Sequence, residues 1–317
     1  VLGRGLPQSL QAWAVGATPL CRRAGIAGRG ESRAPCPRTR RRQQQQDGSE
    51  GWPIATWDQG EAANVPVYAV GETFLPLEEA DAVPPVTRED LSHTPGAFLL
   101  HGCLTPRECE HIIQAAEDIG FIEDSATGGR SVRHMESCQT LMNPETLDAV
   151  FRRFVDRLPL GLKGERPLGL NARWRVYKYN PGDTFKPHTD GGWPGGGIDK
   201  ATGRYKSDVH GDRWSQVTWV MYLNEGFEGG ATRFFRRVSD EDFEVAGDVR
   251  PRRGSAMCFF HGKHPLTPLH EGSPVVSGTK YIIRSDVLYE LPQLEQEAGS
   301  AASASARAPR APRAQAA

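Results

Sequence analysis

The period of the apolar residues changes at Pro167, and that change restricts the fold more than any other feature of this chain. Upstream, two stretches repeat their apolar positions at helical spacing. Downstream, the sequence breaks into short runs rich in Val, Tyr, Trp, Thr and Phe, punctuated by Gly. The spacing predicts strands over 172–179, 185–190, 215–223, 231–235, 243–245, 255–260 and 280–289. Many short strands with no helix between them can bury an apolar face only by packing sheet on sheet. The expected class is therefore mainly β with flanking helices, a sandwich or jelly roll.

The flanking helices carry their own start signals. Thr105-Pro106-Arg107-Glu108 places a capping Thr, a Pro at the first helical position and a Glu able to reach back to the cap. Cys109, Ile112, Ile113 and Ala116 then share one face, and Gly120 is placed to end the helix. A second helix is predicted from Asn143-Pro144 through Leu158, with Leu147, Val150, Phe151, Phe154, Val155 and Leu158 on one stripe and Pro159 as its stop. Residues 96–100 read as a strand before these helices. The segment 51–95 reads as an irregular lead-in with one edge strand near 65–70.

Within the strand-rich part, His188 and Asp190 stand at i and i+2. On a strand both side chains point to one face. Two histidines and a carboxylate that leave positions open form the facial set of non-heme Fe(II) oxygenases. His270 is the favoured third ligand, with His261, His264 and His210 as competitors and His134 as a structural or surface residue. Such an ion needs a two-electron donor to activate oxygen, and a bidentate 2-oxo acid can supply the electrons. The far carboxylate of that acid needs a cation. Lys280, ten residues after His270 and opening the last long strand, provides one, and Arg284, at i+4 on the same face, is its rival. An unpaired cation in so apolar a strand is costly unless an anion binds. Between Gly191 and Trp214 lies a long Gly-rich loop, expected to act as a mobile lid, whose Trp193, Arg204, Tyr205, Arg213 and Trp214 are placed to touch a substrate.

Bulk properties exclude other classes. The 317 residues carry a formal net charge of -1, so no field of charge calls for nucleic acid. No apolar run reaches the length of a membrane span. The cysteines at 21, 36, 103, 109, 138 and 258 form no CxxC pair, which argues against a zinc ribbon or a thioredoxin-like site, and Cys258 lies in a buried-looking run. The chain does not begin with Met, so its true N-terminus is expected to be missing. Its first 46 residues, rich in Arg, Ala and Gly, resemble an organelle leader or a disordered tail. Plastid, mitochondrion, endoplasmic reticulum and cytoplasm all stay open as compartments. The Ala-, Ser-, Pro- and Arg-rich end after about 291 is expected to be disordered.

Four blocks in order carry a resemblance. They are Tyr179-Asn-Pro-Gly-Asp-Thr-Phe-Lys-Pro-His188-Thr-Asp190, then Tyr222-Leu-Asn-Glu-Gly-Phe-Glu-Gly-Gly230-Ala-Thr-Arg-Phe, then Pro251-Arg-Arg-Gly254-Ser-Ala-Met-Cys-Phe-Phe, then His270-Glu-Gly-Ser-Pro-Val-Val-Ser-Gly-Thr-Lys280. Together they resemble the Fe(II)/2-oxoglutarate dioxygenase superfamily, and most closely its prolyl 4-hydroxylase catalytic branch. The resemblance implies a double-stranded β-helix (jelly roll) core in a domain spanning 96–291. It implies His188, Asp190 and His270 as iron ligands, Lys280 on the 2-oxoglutarate tail and Tyr179 lining the cosubstrate pocket. The implied cofactors are Fe(II), 2-oxoglutarate and O2, with L-ascorbate to rescue oxidised iron. Two departures concern the acceptor: the loop after Asp190 is long and Gly-rich, and the last strand has Arg284 and no Trp. The expected acceptor is a peptidyl proline. A free amino acid or other small molecule, its carboxylate held by Arg284, is the alternative, and a jelly-roll binding module without catalysis is the alternative of another class.

Overall fold

The computed structural model describes residues 52–58, 65–79, 83–123, 133–240 and 242–291. The expected leader and the expected low-complexity end lie outside the described residues. The larger sheet contains β1 (Ile54–Asp58), β2 (Val65–Ala69), β3 (Thr87–Asp90), β4 (Ala97–His101), β5 (Ile122–Glu123), β7 (Glu136–Leu141), β8 (Pro167–Leu170), β9 (Arg173–Tyr179), β13 (Arg213–Tyr222), β17 (Ala256–Phe260) and β20 (Lys280–Glu290). The smaller contains β6 (Arg133–His134), β10 (Thr184–His188), β15 (Thr232–Arg237), β16 (Phe243–Val249) and β18 (Leu269–Gly272). Two ribbons complete the strands: β11 (Gly197–Ile198) with β12 (Tyr205–Lys206), and β14 (Glu228–Gly229) with β19 (Val275–Ser277).

Each face of the larger sheet buries a different layer. One face, with Trp174, Val176, Val217, Trp219, Cys258, Ile283 and Val287, packs under the helices α1 (Pro106–Ile119) and α2 (Pro144–Arg152). There the Phe154 ring stacks on Trp219, centroids 6.1 Å apart. The other face, with Tyr177, Tyr179, Tyr222, Met257, Phe259 and Ile282, packs with Phe234 of the smaller sheet. Two sheets packed through alternate residues of their strands give the jelly roll that the strand pattern predicts. The order β7-β9-β20-β13-β17 sets β20 in the centre of the larger sheet, and β15-β18-β10 faces it from the smaller one.

The capping box at α1 forms as its sequence requires. Thr105 accepts from the Glu108 backbone, and the Glu108 carboxylate accepts from the Thr105 N–H. Glu108 also takes a bidentate pair from Arg153 at 2.7 Å for both bonds. That pair sits at one departure from expectation. α2 ends at Arg152, and the apolar stripe to Leu158 continues as a 3-10 turn over Val155–Arg157. Arg153 caps the helix with helical dihedrals while its side chain reaches Glu108 and the Cys103 carbonyl, and the helix breaks at Phe154, which takes a non-helical conformation. The lead-in differs too. β2 is no edge strand but lies between β1 and β7, with Val65, Pro66, Val67 and Tyr68 all buried. Cys103, Cys109, Cys138 and Cys258 are buried free thiols, and burial raises the pKa of each.

Candidate active site

Antiparallel pairing of β10 with β18 sets His188 directly opposite His270, ring centroids 4.3 Å apart. The strand pattern expected Asp190 to share the face of His188 by lying on the same strand. β10 in fact ends at His188, and Asp190 lies past it. Asp190 is fixed by tertiary bonds instead: its carbonyl accepts from the Gly262 N–H at 2.9 Å, and its carboxylate accepts from the Thr218 hydroxyl at 2.7 Å. The result is still convergence. His188 Nε2 lies 3.6 Å from Asp190 Oδ1, and His270 Nε2 lies 3.9 Å from Asp190 Oδ2. One ligand atom from each of the three falls within 4.8 Å of the others.

The protonation pattern suits a metal. His188 Nδ1–H donates to the Lys186 carbonyl at 2.8 Å, and His270 Nδ1–H donates to the Pro268 carbonyl at 3.3 Å. In each ring the remaining nitrogen, Nε2, keeps its lone pair toward Asp190, the tautomer that metal ligation needs. Burial pushes the His270 pKa down to about 4, so its imidazole is neutral at pH 7. Burial also works against ionisation of Asp190, but Arg284, His188 and His270 outweigh it and hold the carboxyl well below its usual range. Phe185 stacks on His188 at 3.6 Å, and Phe259 flanks His270 at 4.5 Å, so the rings have little freedom to turn.

Outside these three, a chain of hydrogen bonds runs back into β13 and the Gly-rich loop. The Trp193 N–H donates to Ser215 Oγ at 2.8 Å, and the Ser215 hydroxyl donates to His261 Nε2 at 2.9 Å. His261 Nδ1–H donates to Thr218 Oγ1 at 2.8 Å, whose own proton goes to Asp190. His261, a competitor for the ligand role, is therefore a buried neighbour of the set, and burial lowers its pKa. His134 bonds the buried Asp183. Neither Ser215 nor Thr218 stood out in the sequence, since a hydroxyl on a strand carries no signal until its partner across the sheet is known.

The two cations of β20 differ in their surroundings. Lys280 is 2 % exposed and donates to the Gly230 carbonyl at 2.6 Å. It makes no ion pair among the described residues, and burial brings its pKa down to about 7. It stands opposite Tyr179 in the register, with Nζ 5.1 Å from that ring. Gly230 has φ +64, and a Cβ there would come within 3.1 Å of the Lys280 chain, so glycine lets the backbone approach the lysine closely enough for its carbonyl to accept from Nζ. Arg284, expected as the rival anchor, is already committed. Its Nη2 lies 3.1 Å from Asp190 Oδ2, and its Nη1 bonds Asp286 Oδ1 at 2.5 Å. Burial opposes its charge, but the two carboxylates outweigh that and raise its pKa.

Of the loop residues singled out, Trp193 and Tyr205 line a cleft with Arg175 and Asp286, Trp193 and Trp214 are both exposed, and Arg213 pairs with Asp212. The loop is ordered by the β11–β12 ribbon and a bridge between Pro194 and Trp214.

The 2OG-Fe(II) oxygenase superfamily model matches residues 174–285, which hold all three converging side chains and Lys280. Prolyl 4-hydroxylase 2 of Arabidopsis thaliana is 24% identical over 235 residues, 68% of this chain and 74% of the relative. Prolyl 4-hydroxylase 1 of the same plant is 26% identical over 214 residues, 62% and 70% of the two chains. This chain belongs to the 2OG-Fe(II) oxygenase superfamily. Within it the oxygenase is prolyl 4-hydroxylase-like, a dioxygenase that works with Fe(II), 2-oxoglutarate and O2. Among solved structures, a Pseudomonas putida prolyl-4-hydroxylase aligns at TM-score 0.38 and 19% identity over 61% of the oxygenase and 91% of that chain. The viral collagen prolyl hydroxylase of Paramecium Bursaria Chlorella virus-1, in its 2OG complex, aligns at 0.40 and 20% over 64% and 100%. No helix among the described residues is long and apolar enough to cross a membrane.

Proposed function

We propose that this dioxygenase hydroxylates a peptidyl proline, with His188, Asp190 and His270 holding the iron and Lys280 and Tyr179 holding 2-oxoglutarate. The observation that carries the site assignment is the pair of Nε2 lone pairs aimed at one carboxylate, with both Nδ1 atoms tied to backbone carbonyls. When bound, the iron would let O2 oxidise both the 2-oxo acid and the acceptor, one oxygen atom going to succinate as carbon dioxide leaves and the other converting a C–H bond to C–OH.

The chain's own residues orient and insulate that chemistry. Lys280 brings a buried positive charge without a carboxylate to neutralise it, which suits the far carboxylate of the cosubstrate. The buried Tyr179 ring stands beside it, with Nζ 5.1 Å from the ring centroid, and would line the cosubstrate on that side. Thr218 and Arg284 keep Asp190 ionised and fixed in orientation. Phe234 and Phe259 shield His270 from water, and Phe185 covers one face of His188. Support for proline as acceptor comes from the printed names of the curated relatives, all prolyl 4-hydroxylases. Ascorbate is proposed as the reductant that restores iron oxidised in turnovers without an acceptor.

The test is mass spectrometry of a proline-rich peptide panel after incubation with enzyme, Fe(II), 2-oxoglutarate and ascorbate. One added oxygen on proline is expected, and His188→Ala should release no succinate. Rapid succinate formation beside an unmodified panel moves the acceptor to a small molecule. Turnover that survives His188→Ala removes the ligand assignment.

A further inference from the structure

A cleft of about 180 Å³ is walled by Asn171, Arg173, Arg175 and Asp286 on the sheet side and by Trp193 and Tyr205 of the Gly-rich loop, and Asp286 connects it to Asp190 through their shared partner Arg284. With a water taking ~30 Å³, this is room for the head of one side chain rather than for a length of peptide. The loop wall is tied down. Asn171 Nδ2 donates to the Pro194 carbonyl at 3.1 Å, and the Trp193 N–H is held by Ser215.

The charges in the cleft are unevenly satisfied. Arg284 faces Arg175 directly across β20 and β9, a like-charge pair that is unfavourable without counter-ions. Both carboxylates within reach, Asp190 and Asp286, are bonded to Arg284. Arg173 bonds Gln139. The Arg175 guanidinium makes no hydrogen bond or ion pair among the described residues, although it lines the cleft. Burial, followed by the fields of Arg173 and Arg284, works against its charge and outweighs the support from Tyr177 and Asp286. A guanidinium so placed presents a planar fork to an incoming anion, the geometry that matches a carboxylate. Its Cα lies ~13 Å along the strand from that of Tyr179 at 3.3 Å per residue, so the cleft is separate from the Lys280 end of the sheet.

We propose that this cleft takes a carboxylate carried by the acceptor, and that Arg175 pairs with it. The inference rests on the hydroxylase reading above and adds a substrate class to it. The acceptor is an acidic one, with either an Asp or Glu side chain near the target proline or a free C-terminal carboxylate. Arg284, to which the sequence had assigned a substrate carboxylate, is excluded from that role by its own two partners, and Arg175, one strand away, inherits it.

The experiment compares kcat/KM for matched blocked peptides in three arms: Glu beside the proline, Gln in its place, and the Gln peptide with a free C-terminus. Wild type is expected to favour one or both carboxylate arms by about ten- to a hundredfold. The arm that gains identifies the source. Arg175→Gln should bring the ratio close to one, and Arg175→Lys should keep part of it. Because the ratio is taken within one preparation, loss of folded protein cancels. If no proline peptide of any charge is hydroxylated, the proline reading fails, and the inference is then measured on free amino acids, proline included, against their amides by acceptor-stimulated succinate release. A wild-type ratio near one in both series, or a ratio unchanged in Arg175→Gln, overturns it.

Discussion

Two positions of β20 use a buried cation in opposite ways. Lys280, at the start of the strand, has a carbonyl for a partner and no carboxylate. Arg284, four residues on and on the same face, has two carboxylates. Burial opposes the charge of both, yet it lowers the pKa of Lys280 whereas the partners of Arg284 more than compensate. A buried charge with its counter-ions built in serves the architecture. One without them destabilises the empty protein and waits for a ligand that brings the missing charge.

Arg284→Ala is expected to show the largest effect. It leaves Asp190 and Asp286 buried without their common partner, a loss of about 3–5 kcal/mol in urea unfolding of the metal-free protein. Added Mn(II) should recover part of the loss, since a cation bound between the histidines replaces charge beside Asp190. An unchanged unfolding midpoint would place Arg284 with Lys280 rather than opposite to it.

Lys280→Met should do the reverse. The metal-free protein keeps or gains stability, while 2-oxoglutarate affinity falls by about 2–4 kcal/mol, as expected when one member of a buried charge pair is removed. Isothermal titration with 2-oxoglutarate and urea unfolding on the same samples give both numbers. A stability loss without an affinity loss would make Lys280 structural.

The pH dependence sharpens the same point. The pKa of Lys280 is about 7 in the folded chain against an ordinary value of 10.5. Between these two values the unfolded chain binds more protons, so the Lys280 contribution to stability rises with pH through this window and is flat below it. Lys280→Met should remove that slope from the urea midpoints. For the ligand the sign is opposite. Above pH 7 the amine must take up a proton to meet the carboxylate, so 2-oxoglutarate binding should weaken as pH rises and should consume protons in buffers of differing ionisation enthalpy.

Both cations of β20 were visible in the sequence, but their difference was not. A strand shows its period and therefore which residues share a face. That was enough for the two-sheet class, and the Thr-Pro-x-Glu signal was enough for the capped start of α1 at Thr105. Partners across a sheet depend on register, which no local pattern displays. So Asp286, Thr218 and Arg175 stayed silent although each lies beside a residue that had been singled out. Asp190 shows the other limit. The i, i+2 rule brought it to the right place for an incomplete reason, since the strand ends at His188 and Thr218, Gly262 and Arg284 do the fixing. The second helix stops before Phe154, whose non-helical backbone follows the residue that pairs with Glu108, 45 positions earlier, a contact no local pattern displays.

Thr218→Val is the mildest test and the one that separates charge from orientation. The substitution keeps the shape of the side chain and leaves Arg284 paired with Asp190 and Asp286, so the charges around the carboxylate are intact. What goes is the donor that fixes Asp190 Oδ2 and the acceptor for His261 Nδ1–H. Loss of an outer hydrogen-bonding partner typically weakens metal binding by about 10–100-fold, and Co(II) titration followed by absorbance would measure it. Stability should fall by only about 1–3 kcal/mol for the buried donor left on His261. Charge alone would suffice to prepare Asp190 if Co(II) affinity were unmoved, and the Ser215–His261–Thr218 chain would then be packing. A loss of Co(II) affinity approaching that of Arg284→Ala would mean that direction matters as much as charge, and that the distinction drawn along β20 extends to the neutral partners of the carboxylate as well.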